Sequence, residues 1–137
     1  MTEELRMVML VLPFPVSVNE IWRGNGSRTF TSPTYKLWKE EANAAFLQQK
    51  RAAGTPITGH FTYHVVLDEK RRTPKMDGDN YASKAVLDFL QSVNVIENDS
   101  KADAGSWSWG PCDPGMCVVS VFQRGMQPVN RTRESAS

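Results

Sequence analysis

The chain has 137 residues, with 16 basic and 15 acidic side chains and a hydrophobic fraction of 40%. This is the length of one ordinary domain, which can bury a core without disulfides or a structural metal, and the composition excludes a wholly disordered chain. The net charge of +1 neither requires nor excludes a nucleic-acid partner, because the distribution of charge matters more than its sum.

The first apolar run predicts a strand over Arg6 to Leu12. It is apolar at every position from Met7, which is typical of a strand covered on both faces of a sheet. The run is far shorter than the roughly 20 residues that span a bilayer. Because two glutamates precede it and no small-residue cleavage site follows, we expect no signal peptide, no membrane contact and a cytoplasmic protein.

The next segments predict a loop and a long helix. We expect the loop from Val16 to Thr31, with a turn at Gly24 to Ser27. Ser32 is a predicted N-cap and Pro33 suits a first helical position, so the helix should extend from there to about Arg51. Its buried face is marked by side chains at helical spacing, namely Tyr35, Trp38, Ala42, Ala45, Phe46 and Gln49.

The second half of the chain predicts three strands and one helix. Residues Thr58 to Asp68 alternate as in a half-buried strand. A stripe of apolar residues predicts a helix over about Asn80 to Ser92. The last strands, Ala104 to Trp109 and Met116 to Arg124, should form a hairpin through a loop at Pro111 to Gly115.

These elements predict an α/β (α+β) fold in a single domain. A small mixed sheet of four or five strands would be covered by two main helices. The domain is assigned to residues 1–124, and the tail at 125–137 should be disordered. Cys112 and Cys117 should be ordinary thiols, because no second Cys/His pair completes a zinc site and a reducing compartment disfavours a disulfide.

The segment Lys75-Met76-Asp77-Gly78-Asp79-Asn80 contains the residues best suited to chemistry. Two carboxylates two residues apart in an extended segment would point to one side and could share a cation. Magnesium prefers oxygen ligands, and Asp99 becomes a third if the chain folds back after the helix. Lys84 could then neutralise charge on phosphoryl oxygens. The alternative is that these carboxylates only cap a helix.

A basic segment of Lys70, Arg71, Arg72 and Lys75 directly precedes the carboxylates. It could hold DNA backbone phosphates, or it could be a solubility loop. Lys84 and Asp88 are also spaced as a solvated i, i+4 ion pair. A calcium loop is rejected, because its sixth position would be an alanine where glycine is needed. Two histidines are expected to be ordinary surface residues and two tryptophans to pack on the sheet, namely His60, His64, Trp107 and Trp109.

Taken in order, these residues resemble the RusA family of Holliday junction resolvases, small endonucleases common in bacteriophages and prophages. Leu12 to Asn19 resembles the family's Pro-aromatic-Pro-x-Ser-x-Asn opening, and Ser32 to Trp38 the start of its first helix. Asp77 to Asn80, followed by Lys84 to Asp88, resembles its central acidic motif. Asn98-Asp99 falls where the family has its last acidic residue.

The resemblance covers about residues 7 to 124 and implies an endodeoxyribonuclease that uses Mg²⁺, with Mn²⁺ as a substitute, and no small-molecule cofactor. It implies a homodimer on four-way DNA junctions, each subunit nicking one of two opposed strands to leave 5′-phosphate and 3′-hydroxyl ends. By position, Asp77, Asp79 and Asp99 would be the catalytic metal ligands and Lys84 the catalytic lysine. Asn80 would orient the first helical turn and Asp88 would support it.

Two features depart from the family pattern. Three residues separate Asn80 from Lys84 where the family usually has two, and in a regular helix one extra residue turns Lys84 by about 100°. The insertion could be absorbed before the helix or as a bulge. The charge is also lower than a junction binder suggests, although a positive face could form from Arg23, Arg28, Lys70, Arg71, Arg72, Lys75 and Lys101.

Three alternatives remain open from the sequence. One is a phage debranching nuclease that acts on flaps or forks. Another is a junction-binding module that has lost catalysis and uses Trp107, Trp109 and the basic segment. The third is a folded phage protein with no nucleic-acid role, which predicts no salt-dependent DNA binding.

Overall fold

The computed structural model describes residues 6–25 and 28–124, except the side chains at 23–25, 28–30 and 52. The predicted tail at 125–137 lies outside this part, so its state is untested. In chain order, the elements are β1 (Met7–Pro13), α1 (Val18–Ile21), β2 (Trp22–Asn25), β3 (Arg28–Thr31), α2 (Pro33–Ala53), β4 (Phe61–Asp68), a 3₁₀ turn (Glu69–Arg71), α3 (Asp79–Ala82), α4 (Lys84–Ser92), a second 3₁₀ turn (Asp99–Lys101), β5 (Ala102–Gly110) and β6 (Met116–Gln123).

The predicted mixed α/β fold is confirmed. Within the described residues, four strands form one sheet in the order β1-β6-β4-β5, and β2 pairs with β3 in a separate hairpin. Only the β4–β5 pair of the main sheet is parallel. Helices α2 and α4 meet at Phe89, whose ring packs edge-on against those of Trp38 and Phe46. No described helix combines the length and apolar character that crossing a membrane requires.

Strand β1 lies at the edge of the sheet, so the prediction of a strand covered on both faces was wrong. Its inner side chains are buried, whereas Met7 and Met9 are 43% and 52% exposed. Helix α2 closes the free edge: the Gln49 amide donates to the carbonyl oxygen of Val11 and accepts from its N–H, at 2.6 and 2.8 Å. A continuous apolar run does not distinguish a central strand from an edge strand with exposed methionines.

The start of α2 agrees with the sequence. The Ser32 hydroxyl accepts a hydrogen bond from the Tyr35 N–H at 3.0 Å, and Pro33 is the first helical residue. Gly54 ends the helix with a φ of 63°, a conformation that favours glycine. The predicted loop at 16–31, in contrast, contains α1 and the β2–β3 hairpin, elements of four residues each that are too short to show a periodic pattern.

Strands β5 and β6 do not form the predicted hairpin, because β4 lies between them. The connection at 111–115 crosses the end of β4. Two inter-strand spacings are only about 10 Å, which five extended residues can span. Asp68, the last residue of β4, is 2% exposed and accepts hydrogen bonds from the N–H groups of Gly115 and Lys70 at 2.9 and 3.0 Å. These two bonds, helped by the charge of Arg71, lower the pKa of the Asp68 carboxyl.

We expect Asp68→Ala to lower the free energy of unfolding at neutral pH, because the crossover and the 3₁₀ turn lose their common acceptor. Since folding lowers the Asp68 pKa, its contribution is present above the ordinary carboxyl value of about 4 and is lost as the pH falls through the folded value. Urea unfolding at neutral and acidic pH measures both effects. Asp113→Ala, an exposed change in the same crossover, is the control and should stay within about 0.5 kcal/mol of wild type. A variant as stable as wild type at neutral pH would contradict this account.

Candidate functional site

The predicted helix over Asn80 to Ser92 is two helices. Ser83 separates α3 from α4, with φ and ψ of −117° and −71°. The buried stripe continues across the break through Ala82, Ala85, Val86, Phe89 and Leu90. The break falls between Asn80 and Lys84. It is a local irregularity of the kind by which a bulge would absorb the additional residue.

Asp77, Gly78 and Asp79, here called the acidic turn, form the entry to α3. Gly78 has helical angles of −58° and −29° and is the N-cap, so the prediction of an extended segment was wrong. The Asp77 carboxylate accepts a hydrogen bond from the Asp79 N–H at 3.1 Å. A short turn closed by its own side chain can replace an extended approach to a helix. Both carboxylates are exposed.

The acidic turn is packed onto β4 and β5. A Cβ on Gly78 would overlap the ring of Trp107, and one on Gly105 would overlap the ring of Tyr63. Burial and the nearby charge of Asp79 raise the pKa of Tyr63. The turn therefore lies against the Trp107 ring with Tyr63 nearby, and glycine at position 78 permits the close approach to Trp107.

Asp99 lies at the other end of the β4–β5 connection. Its N–H donates to the side-chain oxygen of Gln91 on α4 at 2.8 Å. As predicted, the chain folds back to the sheet here, because the 3₁₀ turn that begins at Asp99 leads directly into β5. The carboxylates of Asp79 and Asp99 accept no hydrogen bond from other described residues.

The donor chemistry of Asp77, Asp79 and Asp99 fits magnesium, since all three supply carboxylate oxygens. Their arrangement does not form a closed cage. Among residues 6–25 and 28–124, no three Asp, Glu, His or Cys side chains are grouped so that they could hold a metal ion. The assignment of these three residues as ligands therefore stays a prediction.

Lys84 points to Asp88. Its Nζ lies 3.4 Å from Asp88 Oδ1, the i, i+4 pair that the spacing predicted. The other Asp88 oxygen accepts a hydrogen bond from the Tyr35 hydroxyl at 3.4 Å. Burial, followed by the charge of Asp88, raises the pKa of Tyr35 to about 12, so the phenol keeps its proton at neutral pH. No described ion pair joins Lys84 to a residue of the acidic turn or to Asp99.

A set of aromatic and arginine side chains, here called the aromatic–arginine cluster, was not foreseen from the sequence. Phe14 and Trp109 are stacked with ring centroids 6.3 Å apart. Two guanidinium groups cover these rings, Arg71 at 4.8 Å from the Phe14 centroid and Arg72 at 5.4 Å from that of Trp109. Its members come from the residue after β1, the 3₁₀ turn and the residue after it, α3 and β5. They are Phe14, Arg71, Arg72, Tyr81, Trp107 and Trp109.

For the remaining predicted DNA-binding residues, the structure gives exposure or strand position but no ring contact among the described side chains. Lys70 and Lys75 are exposed next to the aromatic–arginine cluster. Arg23 lies on β2 and Arg28 on β3, but their side chains are outside the described part of the chain. Within that part, both cysteines are free, as predicted, and burial raises the pKa of Cys117 to about 12.

The family model of endodeoxyribonuclease RusA matches residues 13–108, more than half of the chain. The matched region includes the acidic turn, Lys84 and Asp99. The protein therefore belongs to the RusA family of endodeoxyribonucleases, hydrolases that act on DNA. No match was found among curated proteins.

We expect Gly78→Ala to destabilise the protein by about 1–3 kcal/mol, the range for forcing extra atoms into a packed site. The added methyl group would overlap the Trp107 ring. Thermal unfolding measures the loss, and the same substitution in a Trp107→Leu background should cost much less. Equal costs in the two backgrounds would show that Trp107 does not restrict position 78.

Proposed function

We propose that this protein is a magnesium-dependent endonuclease that resolves four-way DNA junctions by paired symmetric nicks, and that it acts as a homodimer. One observation carries the proposal: within the region matched by the family model, the exposed acidic turn is packed on the sheet, and aromatic rings connect it to two exposed arginines. Two copies related by a two-fold axis would suit a substrate with two equivalent strands.

Asp77, Asp79 and Asp99 would hold the magnesium ion, with manganese as a substitute. When bound, such an ion supplies a water of lowered pKa and stabilises charge on phosphoryl oxygens. The residues of the chain support this role in two ways. The packing of Gly78 on Trp107 locates the acidic turn, and Asp99 is tied to α4 through its backbone, which leaves its carboxylate for a ligand.

Lys84 would counter the negative charge that develops on the phosphoryl group, since an ammonium ion stabilises such charge in a partly dry site. In the absence of DNA, Asp88 holds this ammonium, and Tyr35 in turn donates to Asp88. Asn80 lies in the first turn of α3 and would help to orient it. Asp88 is thus proposed as a positioning residue.

We expect Asp79→Asn to abolish cleavage while binding of the junction is kept or improved. The substitution removes a proposed metal ligand and a negative charge that would face phosphates. The measurement is strand nicking of a synthetic mobile four-way junction in magnesium, with binding followed separately in calcium. Asp113→Asn removes an exposed carboxylate of the crossover and is the matched control, expected to cleave as wild type does.

The substrate is decided in the same assay. Paired, symmetric nicks on the junction, absent from a linear duplex, support resolution. Nicks on flaps and forks that do not require a two-fold junction would favour a debranching nuclease. Binding without nicks in any magnesium or manganese condition would favour an inactive module, and normal cleavage by Asp79→Asn would refute the assignment of this carboxylate.

We expect Lys84→Ala to reduce the cleavage rate by at least about 100-fold, the range for loss of one group that stabilises transition-state charge. Thermal unfolding should be nearly unchanged, because a half-exposed i, i+4 ion pair contributes only a few tenths of a kcal/mol. Lys50→Ala, on the exposed side of α2, is the matched control. A near-normal rate in Lys84→Ala would show that the irregularity at Ser83 leaves this lysine outside the reaction.

A further inference from the structure

The aromatic–arginine cluster connects the basic segment to the acidic turn by two series of contacts, which meet where the rings of Phe14 and Trp109 stack. In the first, Arg71 covers Phe14, and the Phe14 ring lies 5.6 Å from that of Tyr81, two residues after Asp79. In the second, Arg72 covers Trp109, Trp109 packs edge-on against Trp107 at 6.3 Å, and Trp107 lies against Gly78. Each arginine is thereby held at a defined place relative to the carboxylates.

The backbone beneath these two arginines is also held. The buried carboxylate of Asp68 accepts the Lys70 N–H, and the Arg72 N–H donates to the carbonyl oxygen of Glu69 at 3.2 Å. Both arginine side chains are exposed, and no described ion pair includes either of them. The charge of Arg71 helps to lower the pKa of the buried Asp68, but that carboxylate already accepts hydrogen bonds from two backbone donors.

A guanidinium that stacks on a ring still has its edges free. The face of the planar group contacts the π system, whereas its N–H donors lie in the plane and match a phosphate. An ammonium group has no such plane, so a lysine at the same place would not be oriented in this way. Stacked arginines can thus bind phosphate in a fixed direction without giving up the ring contact.

We propose that Phe14 and Trp109 are positioning residues of the DNA-binding surface. They orient Arg71 and Arg72 so that each binds a backbone phosphate of the DNA at a fixed offset from Asp77 and Asp79. The inference rests on the proposed function in that DNA is the ligand. Lys70 and Lys75, which cover no ring among the described contacts, contribute charge without this orientation.

The test is a double-mutant cycle of Trp109→Leu with Arg72→Gln. Affinity for a four-way junction is measured without divalent ions over a range of salt concentrations. Trp109→Leu should weaken binding about two- to five-fold, as expected for loss of an exposed cation–π contact, and leave the salt slope unchanged, because no charge is removed. Arg72→Gln should lower the slope of log affinity against log salt by about one. In the Arg72→Gln background, Trp109→Leu should have a clearly smaller effect, limited to what the stacked Phe14 ring beneath Arg71 loses.

The matched control is the cycle of Trp109→Leu with Lys70→Gln, in which the two effects should multiply. Phe14→Leu with Arg71→Gln repeats the test at the other ring. An equal effect of Trp109→Leu with and without Arg72 would overturn the proposal, and so would a salt slope that changes with the ring alone. Trp109→Phe keeps an aromatic face and should restore most of the affinity.

Arg72→Lys provides a test that does not depend on the core, since this side chain is exposed. It should keep the salt slope and weaken binding to the extent that Trp109→Leu does, whereas wild-type affinity would refute the orienting role. All of these measurements are of binding, so they separate the two proposals. A protein that binds with the expected coupling and never nicks would retain this inference and lose the proposed function.

Discussion

The parallel pairing of β4 with β5 determines where the candidate functional residues lie. Parallel neighbours need a long crossover, and here it consists of the basic segment, the acidic turn, α3, α4 and the turn at Asp99. The acidic turn therefore comes soon after the end of β4, and Asp99 comes just before the start of β5. The same pairing separates β5 from β6, so their connection must cross the end of β4. Asp68 stabilises both connections at that point, because one buried carboxylate accepts a donor from each.

Close packing at two glycines fixes the acidic turn relative to β4 and β5. Gly105 leaves space for the Tyr63 ring within the β4–β5 pair, and Gly78 leaves space for Trp107 beneath the acidic turn. The carboxylates of the turn are exposed, yet the backbone at Gly78 lies against the ring of Trp107, which is itself partly exposed. Because this ring fills the space at position 78, added volume there would produce strain. An exposed acidic group can then keep a defined position without being buried itself.

Local signals in the sequence were sufficient for the start of α2 at the Ser32 cap, and for the apolar stripe from Ala82 to Leu90. They were also sufficient to group Asp77 and Asp79 as neighbours. Contacts between segments that are distant in the sequence could not be predicted from such local signals. Nothing near Phe14 in the chain indicates that Arg71 will cover it, and a short connection before Met116 suggests a hairpin as readily as a crossover. The break at Ser83 was predictable in part. The additional residue relative to the family pattern indicated an irregularity, and only the backbone angles showed where it lies.

The role proposed for Lys84 does not require that its contact in the free protein persist when DNA binds. Its ion pair with Asp88 spans 3.4 Å between partly exposed side chains, a class of interaction that contributes little in water. The DNA backbone is a stronger partner, because it presents a series of negative phosphates and excludes water as it binds. Asp88 is different, since its second oxygen also accepts a bond from Tyr35, a buried residue of α2. The carboxylate can thus keep its place when the ammonium leaves. In this arrangement Asp88 stays fixed and the Lys84 ammonium is easily released, which suits a lysine proposed to act only when substrate is present.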